Sequence, residues 1–269
     1  MSDGPRDELF ELELFGEGVE RRYRKMRPEV EAMPWGTMVL DGVSAPALIA
    51  ARKRWTGAAF QEHRTGIACT AALRLLFECR APIDLISLAA RFPLDEAVHV
   101  ELCARMAMEL GGGTEIRHDP DGMIVDPDPK LAPLARAADA IVRFFCVGES
   151  VSIPLLRGAW HAARHPLPRA VLGRIVRDEA AHGTFGYSFL DWALPQLSAD
   201  ERAHVGRAAR IAIDAVHRVW KRAAAERRAA PEDDSDALAW LGTDAYTAMA
   251  ERAMQTRVLT PLRARGVIS

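Results

Sequence analysis

Two short stretches, Asp95-Glu96-Ala97-Val98-His99 and Asp178-Glu179-Ala180-Ala181-His182, decide how this sequence is interpreted. In each stretch a glutamate precedes a histidine by three residues, so in a helix both side chains project from one face, about one turn apart. A carboxylate and an imidazole in this arrangement can bind one metal ion together. Two such pairs on facing helices can hold two metal ions if the other helices add carboxylates.

Each stretch has a matching glutamate upstream. Glu62 lies 34 residues before Glu96, and Glu149 lies 30 residues before Glu179. Residues this far apart in a helical hairpin return to the same height, so both halves of the chain repeat the order glutamate, turn, Asp-Glu-x-x-His. The predicted metal ligands are therefore Glu62, Glu96, His99, Glu149, Glu179 and His182.

Two other Glu-x-x-His pairs show that the motif also arises by chance. Glu115 with His118 follows three glycines and lies in a predicted loop. Glu201 with His204 follows Ser198, and Ser-x-x-Glu at the start of a helix is typical of a capping box. No glutamate lies 30 to 34 residues before Glu201. Only the pairs at 96/99 and 179/182 have the context of a metal site.

Most of the chain has the sequence pattern of helices, because alanine, leucine and arginine dominate and apolar residues recur every three or four positions. Prolines, glycines and the capping box separate the helices. We predict helices over residues 55–80, 83–110, 131–164, 168–194, 198–228 and 236–265, the last interrupted near Gly242. Residues 114–130 form a predicted loop, 231–236 an acidic linker and 9–15 an alternating segment.

The order of these elements predicts an all-α fold. Two helical hairpins joined by one long connection have the wiring of a ferritin-like four-helix bundle with one long crossover, and a helical bundle of another topology is the alternative. An N-terminal arm (1–50), the bundle (51–197) and a C-terminal helical extension (198–269) would form one domain.

Composition argues against several classes of protein. The 269 residues include 35 basic and 37 acidic ones, and a net charge of -2 argues against general nucleic-acid binding. No uncharged apolar stretch of about 18 residues is present, so we predict no membrane span, and the acidic N-terminus lacks the features of a signal peptide. The four cysteines, Cys69, Cys79, Cys103 and Cys146, form no CxxC pair, so we expect free thiols and a cytoplasmic protein.

On these six ligand residues, the segment from about 55 to 195 resembles the ferritin-like di-iron carboxylate superfamily. The resemblance implies two iron ions, with a manganese/iron pair as the alternative. It also implies that Asp95 and Asp178 hydrogen-bond ligand histidines; the alternative is that they are solvated charges. Independently, a carboxylate-rich site with two imidazoles and no thiolate favours iron or manganese over structural zinc.

Residues near the ligands predict a cavity beside the metals. Glycines inside helices would leave room for a ligand or would allow close helix packing. Pro93 and Pro154 would bend their helices within about a turn and a half of a ligand. The predicted lining residues are Gly66, Cys69, Cys103, Phe145, Cys146, Gly183, Phe185 and Gly186.

The function implied by the resemblance is that of an oxidase or oxygenase that uses O2 to oxidise a small organic molecule. An electron-donor protein and a homodimer are compatible with it, whereas no nucleic-acid or membrane partner is expected. The alternatives are a ferroxidase or peroxide-scavenging protein of ferritin or rubrerythrin type, and a helical scaffold without metal. The absence of a CxxC module weakens the rubrerythrin version, and the extra length weakens the storage-cage version.

Overall fold

The computed structural model describes residues 6–123, 126–229 and 241–269 and has an all-α architecture, as the sequence predicts. The predicted linker over 231–236 lies outside the described residues. In chain order the helices are α1 (Glu17–Lys25), α2 (Pro28–Glu31), α3 (Ala45–Glu78), α4 (Ile83–Glu109), α5 (Pro133–Ile141), α6 (Ser150–Ala162), α7 (Pro166–Ala193), α8 (Ala199–Ala229), α9 (Thr243–Ala253) and α10 (Thr260–Ala264). Two strands, β1 (Glu8–Leu9) and β2 (Arg117–His118), pair antiparallel with Glu8 opposite His118.

Four of the helices form two hairpins. Helix α3 packs along α4, and α6 packs along α7. The hairpins meet where α4 contacts α7 and where α3 contacts α5. The connection from α4 to α5 is the long one, and it carries β2.

The start of α3 differs from the sequence prediction, which placed it at Trp55. The helix begins ten residues earlier, at Ala45, because Ser44 caps it: the Ser44 hydroxyl accepts a hydrogen bond from the backbone N–H of Ala47 at 3.3 Å. Proline at the second helical position also suits a helix start. The last residues of the predicted arm over 1–50 therefore belong to α3.

The helix predicted over 131–164 contains a segment that the sequence analysis missed. Residues Val142–Glu149 form a π-helix between α5 and α6, and Glu149 is its last residue. The wider turn leaves backbone carbonyls to be satisfied by side chains. The Ser150 hydroxyl donates to the Phe145 carbonyl at 3.1 Å, and the Tyr187 hydroxyl donates to the Cys146 carbonyl at 2.9 Å. Such segments occur frequently at functional sites.

Other predicted boundaries agree with the structure to within a few residues. The capping box at the start of α8 is confirmed, since the Ser198 backbone N–H donates to Glu201 at 2.8 Å and the Glu201 N–H donates to the Ser198 hydroxyl. Near Gly242, α9 begins at the next residue, Thr243, while residues 236–240 of the predicted helix lie outside the described residues. The alternating segment over 9–15 is mostly not a strand; only its first residue belongs to β1. Among the described helices, none is both long and apolar enough to cross a membrane.

The core consists of two apolar clusters separated by a polar layer. On α4, Phe92 belongs to one cluster and Val98 and Leu102 belong to the other. On α7, Ile175 and Phe185 divide in the same way. The polar layer between the clusters contains seven buried acids and histidines: Asp95, Glu96, His99, Glu149, Asp178, Glu179 and His182.

Candidate metal centre

The structure brings all six predicted ligands together in this layer. Glu62 comes from α3, Glu149 from the π-helical segment, and the two Glu-x-x-His pairs from α4 and α7. The side chains of His99, His182 and Glu96 are fully buried, and Glu179 is 2% exposed. Glu62 is the most accessible of the four predicted glutamate ligands, with 12% of its side chain exposed.

The six side chains form two groups that share two carboxylates. In the first group, Glu62 and His99 face Glu96 and Glu179; in the second, Glu149 and His182 face the same pair. Within each group, one ligand atom from every residue lies within 4.8 Å of the others. If two metal ions bind here, Glu96 and Glu179 would be the carboxylates that both ions share, and each of the other residues would contact one ion.

Both imidazoles point Nδ1 into the cluster. His99 Nδ1 lies 3.3 Å from Glu179 and 3.6 Å from Glu96, and His182 Nδ1 lies 3.0 Å and 3.2 Å from the same two residues. A nitrogen with carboxylates on this side is placed to bind a cation between them.

The opposite ring nitrogens face the two predicted aspartates, and the pairing is crossed between helices. His99 Nε2 lies 3.2 Å from Asp178, within hydrogen-bond distance, and His182 Nε2 lies 3.7 Å from Asp95, slightly beyond it. Each aspartate thus faces the histidine of the other motif. A proton on Nε2, held by the aspartate, leaves Nδ1 with a free lone pair for a metal.

Two arginines that the sequence analysis did not identify hold these aspartates. Arg91 contacts both carboxylates, Asp95 at 2.9 Å and Asp178 at 3.3 Å, while Arg174 contacts Asp178 at 2.7 Å. A signal for them was present: in both halves an arginine stands four residues before the aspartate, the spacing of an ion pair within a helix. The repeated unit is therefore Arg-x-x-x-Asp-Glu-x-x-His.

Substitution of Arg91 by methionine is expected to lower metal affinity by roughly 10- to 100-fold, because the aspartates then lose the cation that aligns both of them on the histidines. Anaerobic titration with ferrous iron measures this directly. The matched control is Arg222→Met on α8, which removes an exposed pair with Glu226 and should leave the affinity unchanged. Equal affinity in both variants would contradict the positioning role of Arg91.

Burial and neighbouring charges shift the pKa values of Glu62, Glu149 and Glu179. Burial raises the pKa of Glu62 to about 8, and the neighbouring Glu96 charge adds to this effect. Burial and the charges of Glu179 and Glu96 also raise the pKa of Glu149. Burial would raise the pKa of Glu179 as well, but the two histidines outweigh it and lower that pKa to about 2.

The pKa values of both histidines are raised. Burial disfavours the imidazolium of His182, but the carboxylates of Asp95, Glu179 and Glu96 outweigh burial and raise its pKa to about 12. His99 behaves in the same way, with Asp178 as its strongest partner. Without a metal, the negative charge of this polar layer is reduced only when its histidines and carboxylates keep protons.

The residues fit a pair of divalent cations. Both Glu96 carboxylate oxygens, His99 Nδ1, Glu179 Oε2 and His182 Nδ1 are buried and have no hydrogen-bond partner among the described residues. Buried polar atoms without partners are costly. Four carboxylates and two neutral imidazoles carry a charge that two divalent cations balance, and a cation would also satisfy the unpaired atoms.

Only part of the predicted cavity lining is confirmed. Gly66 lines a cavity of about 450 Å³ between α3 and α4, and Glu62 and Glu96 also lie in its wall. Gly183 lines a larger groove of about 950 Å³ beside Glu179. Pro93 and Pro154 lie inside their helices, as predicted, and each lines one of these two spaces.

Gly186 serves close packing and not ligand space, because a Cβ there would lie 2.8 Å from the Cys146 sulfur. Phe145 and Phe185 pack with Phe92 in the core, where ring centroids lie 5.0 to 5.6 Å apart. The remaining predicted lining residues, Cys69, Cys103 and Cys146, are buried in the apolar clusters, and burial raises the pKa of each thiol. These residues form the packed walls between the ligands and the rest of the core.

The two chance Glu-x-x-His pairs lie outside the centre, as expected. Glu115 pairs with Arg117, and His118 lies in β2. Glu201 caps α8, while His204 contacts Asp139 at 2.6 Å.

Comparisons with protein-family models, with curated proteins and with solved structures found no match to this chain.

Proposed function

We propose that the protein is an O2-dependent oxidase or oxygenase with a di-iron centre, or a manganese/iron centre, in a ferritin-like four-helix bundle. Helices α3 and α4 would form one hairpin of the bundle, and the segment from α5 to α6 would form the other with α7. The observation that carries the proposal is the pair of buried ligand groups that share Glu96 and Glu179.

The donor set supports iron or manganese. Carboxylates dominate, each group adds one imidazole, and neither group includes a thiolate, which suits these metals better than structural zinc. Two ferrous ions, when bound, supply electrons for the reduction of O2. The chain's own contribution is to hold the ligands, to fix the histidine tautomers through Asp95 and Asp178, and to keep the site within an apolar core.

An accessible space beside the ligands favours an oxygenase over a plain ferroxidase. The groove beside Glu179 has a volume of about 950 Å³, within the range of small-molecule sites. Helices α9 and α10 and the segment between them form one wall of it, so the chain beyond the two hairpins has a place in the proposed site.

Metal content per chain tests the proposal. After anaerobic loading with ferrous iron and desalting, we expect about two irons per chain in the native protein and none in Glu96→Ala/Glu179→Ala. The control Glu115→Ala/Glu201→Ala removes two exposed glutamates outside the centre and should retain both irons. A native protein without bound metal would leave the helical scaffold as the better interpretation.

Oxygen consumption then separates the two enzyme classes. An oxygenase should consume O2 in a single turnover that substrate accelerates, with iron remaining at about two per chain. Uptake of much more iron than this during oxidation would instead identify a ferroxidase.

Metal loading at pH 7 is expected to release about two to four protons per chain, because ligands must lose their protons to bind. Glu62, with a pKa of about 8, and His182, with a pKa of about 12, hold protons at pH 7 in the metal-free protein. Metal affinity should therefore fall as the pH falls. A pH indicator in weakly buffered anaerobic solution measures the release, and Glu96→Ala/Glu179→Ala should release none. Full metal binding without proton release would contradict the expected protonation.

A further inference from the structure

The groove beside Glu179 carries an unusual charge for a space next to four acids. Its walls come from α6, α7 and the C-terminal segment from α9 to α10. Four arginines line it: Arg157, Arg252, Arg257 and Arg265. Among the described residues, its acidic lining residues are the ligand Glu179 and Asp191.

Asp191 neutralises one end of the groove. It lies twelve residues after Glu179 on α7, about 18 Å along the helix. The Arg265 guanidinium donates to both Asp191 oxygens, at 2.7 and 2.9 Å. No carboxylate of the described residues forms such a pair with Arg157, Arg252 or Arg257. Within the described part of the chain, the arginines without a carboxylate partner therefore lie along the remainder of the groove.

Helix register places Arg157 at the level of the metal ligands. Helices α6 and α7 run antiparallel, and a Cβ on Gly183 would lie 2.8 Å from Ile153. Moving one turn along each helix from this contact leads to Arg157 on α6 and to Glu179 on α7, both of which line the groove.

Arg252 lies near the same end. Met249, one turn before it on α9, packs on α6 beside Arg157: a Cβ on Gly158 would lie 2.6 Å from the Met249 sulfur. Two arginines from different helices therefore line the part of the groove that lies at the level of Glu179. Apolar and small side chains, including Ile153, Pro154 and Ala180, also line this groove.

We infer that this groove binds a small organic anion, a molecule with an apolar body and a carboxylate or phosphate end, which Arg157 and Arg252 hold beside the metal centre as the substrate. The inference rests on the proposed function. Guanidinium groups match both anions in geometry and charge. A balanced metal centre adds no net charge to the groove, so the arginines determine which ligands it accepts; a cationic amine would meet only repulsion at this end.

The test compares three ligands of equal chain length by calorimetry on anaerobic, ferrous-loaded protein: octanoate, octyl phosphate and octan-1-ol. We expect at least one anion to bind tenfold or more tightly than the alcohol. In Arg157→Gln/Arg252→Gln this preference should disappear. The control Arg218→Gln removes one exposed arginine from α8, outside the groove, and should retain it. The stronger of the two anions identifies the chemistry of the charged end.

A second measurement locates the ligand. Protein loaded with Mn²⁺ should broaden the proton resonances of bound octanoate or octyl phosphate, whereas Glu96→Ala/Glu179→Ala, which lacks the metal, should not. Equal binding of octan-1-ol, or an anion preference that survives in Arg157→Gln/Arg252→Gln, would overturn the inference.

Metal content measured on the same samples separates this inference from the proposed function. Two metals per chain without anion preference would overturn the inference alone. Anion binding by a native protein that takes up no metal would contradict the proposed function, and with it the assignment of the groove as a substrate site.

Discussion

Alanine at Glu96 is expected to cost the protein both metal ions, whereas alanine at Glu62 or at Glu149 is expected to cost only one. Glu96 belongs to both ligand groups, so its loss removes a carboxylate from each. Glu62 belongs only to the group with His99, and Glu149 only to the group with His182. The variants should therefore fall from about two irons per chain to about zero and about one, respectively.

Elemental analysis after anaerobic loading and desalting measures these numbers, and circular dichroism verifies that each variant retains its helices. Glu179→Ala should behave like Glu96→Ala, because it is the other shared carboxylate. If Glu62→Ala lost both metals, or if Glu96→Ala retained one, the assignment of shared and terminal ligands would be wrong.

Removal of the metals is expected to destabilise the fold by about 8 kcal/mol, because free metal at about a thousand times the dissociation constant contributes about 4.1 kcal/mol per site. For a chain of this size that corresponds to a fall in melting temperature of about 16 °C. The physical reason lies in the polar layer, where buried carboxylate and imidazole atoms lack hydrogen-bond partners and a cation would satisfy them.

Thermal unfolding under anaerobic conditions, with ferrous iron or with a chelator, measures the difference. Glu96→Ala/Glu179→Ala provides the control, since a protein that binds no metal should unfold at the same temperature in both solutions. Equal melting temperatures of the native protein with iron and with chelator would count against a metal centre in this layer.

Much of the candidate centre could be predicted from the sequence because it depends on local periodicity. Glu96 with His99, and Glu179 with His182, lie on one face of their helices by virtue of a three-residue spacing. The positions of Glu62 and Glu149 could be predicted because residues 30 to 34 apart in a helical hairpin lie at the same height. The capping box at Ser198 is also a local pattern, and it explained why Glu201 with His204 copies the motif without being part of the centre.

The boundaries and the π-helical segment were less predictable. The start of α3 was missed because alanine-rich sequence continues on both sides of Trp55, and the decisive signal was the single capping residue Ser44. The π-helical turn that ends at Glu149 depends on contacts with distant groups such as the Tyr187 hydroxyl. A local pattern does not contain those contacts.

The sequence by itself determined the helical class, the six candidate ligands and the two aspartates beside them, because each follows from spacing along one helix or one hairpin. Only the tertiary structure decided that Asp178 faces the histidine of the other motif and that Arg91 joins both aspartates. It also decided that Gly186 serves packing, whereas Gly183 packs against Ile153 and lines a groove as well. These outcomes depend on how the helices rotate and slide against one another. Core packing across the whole molecule sets that register, and no single stretch of sequence encodes it.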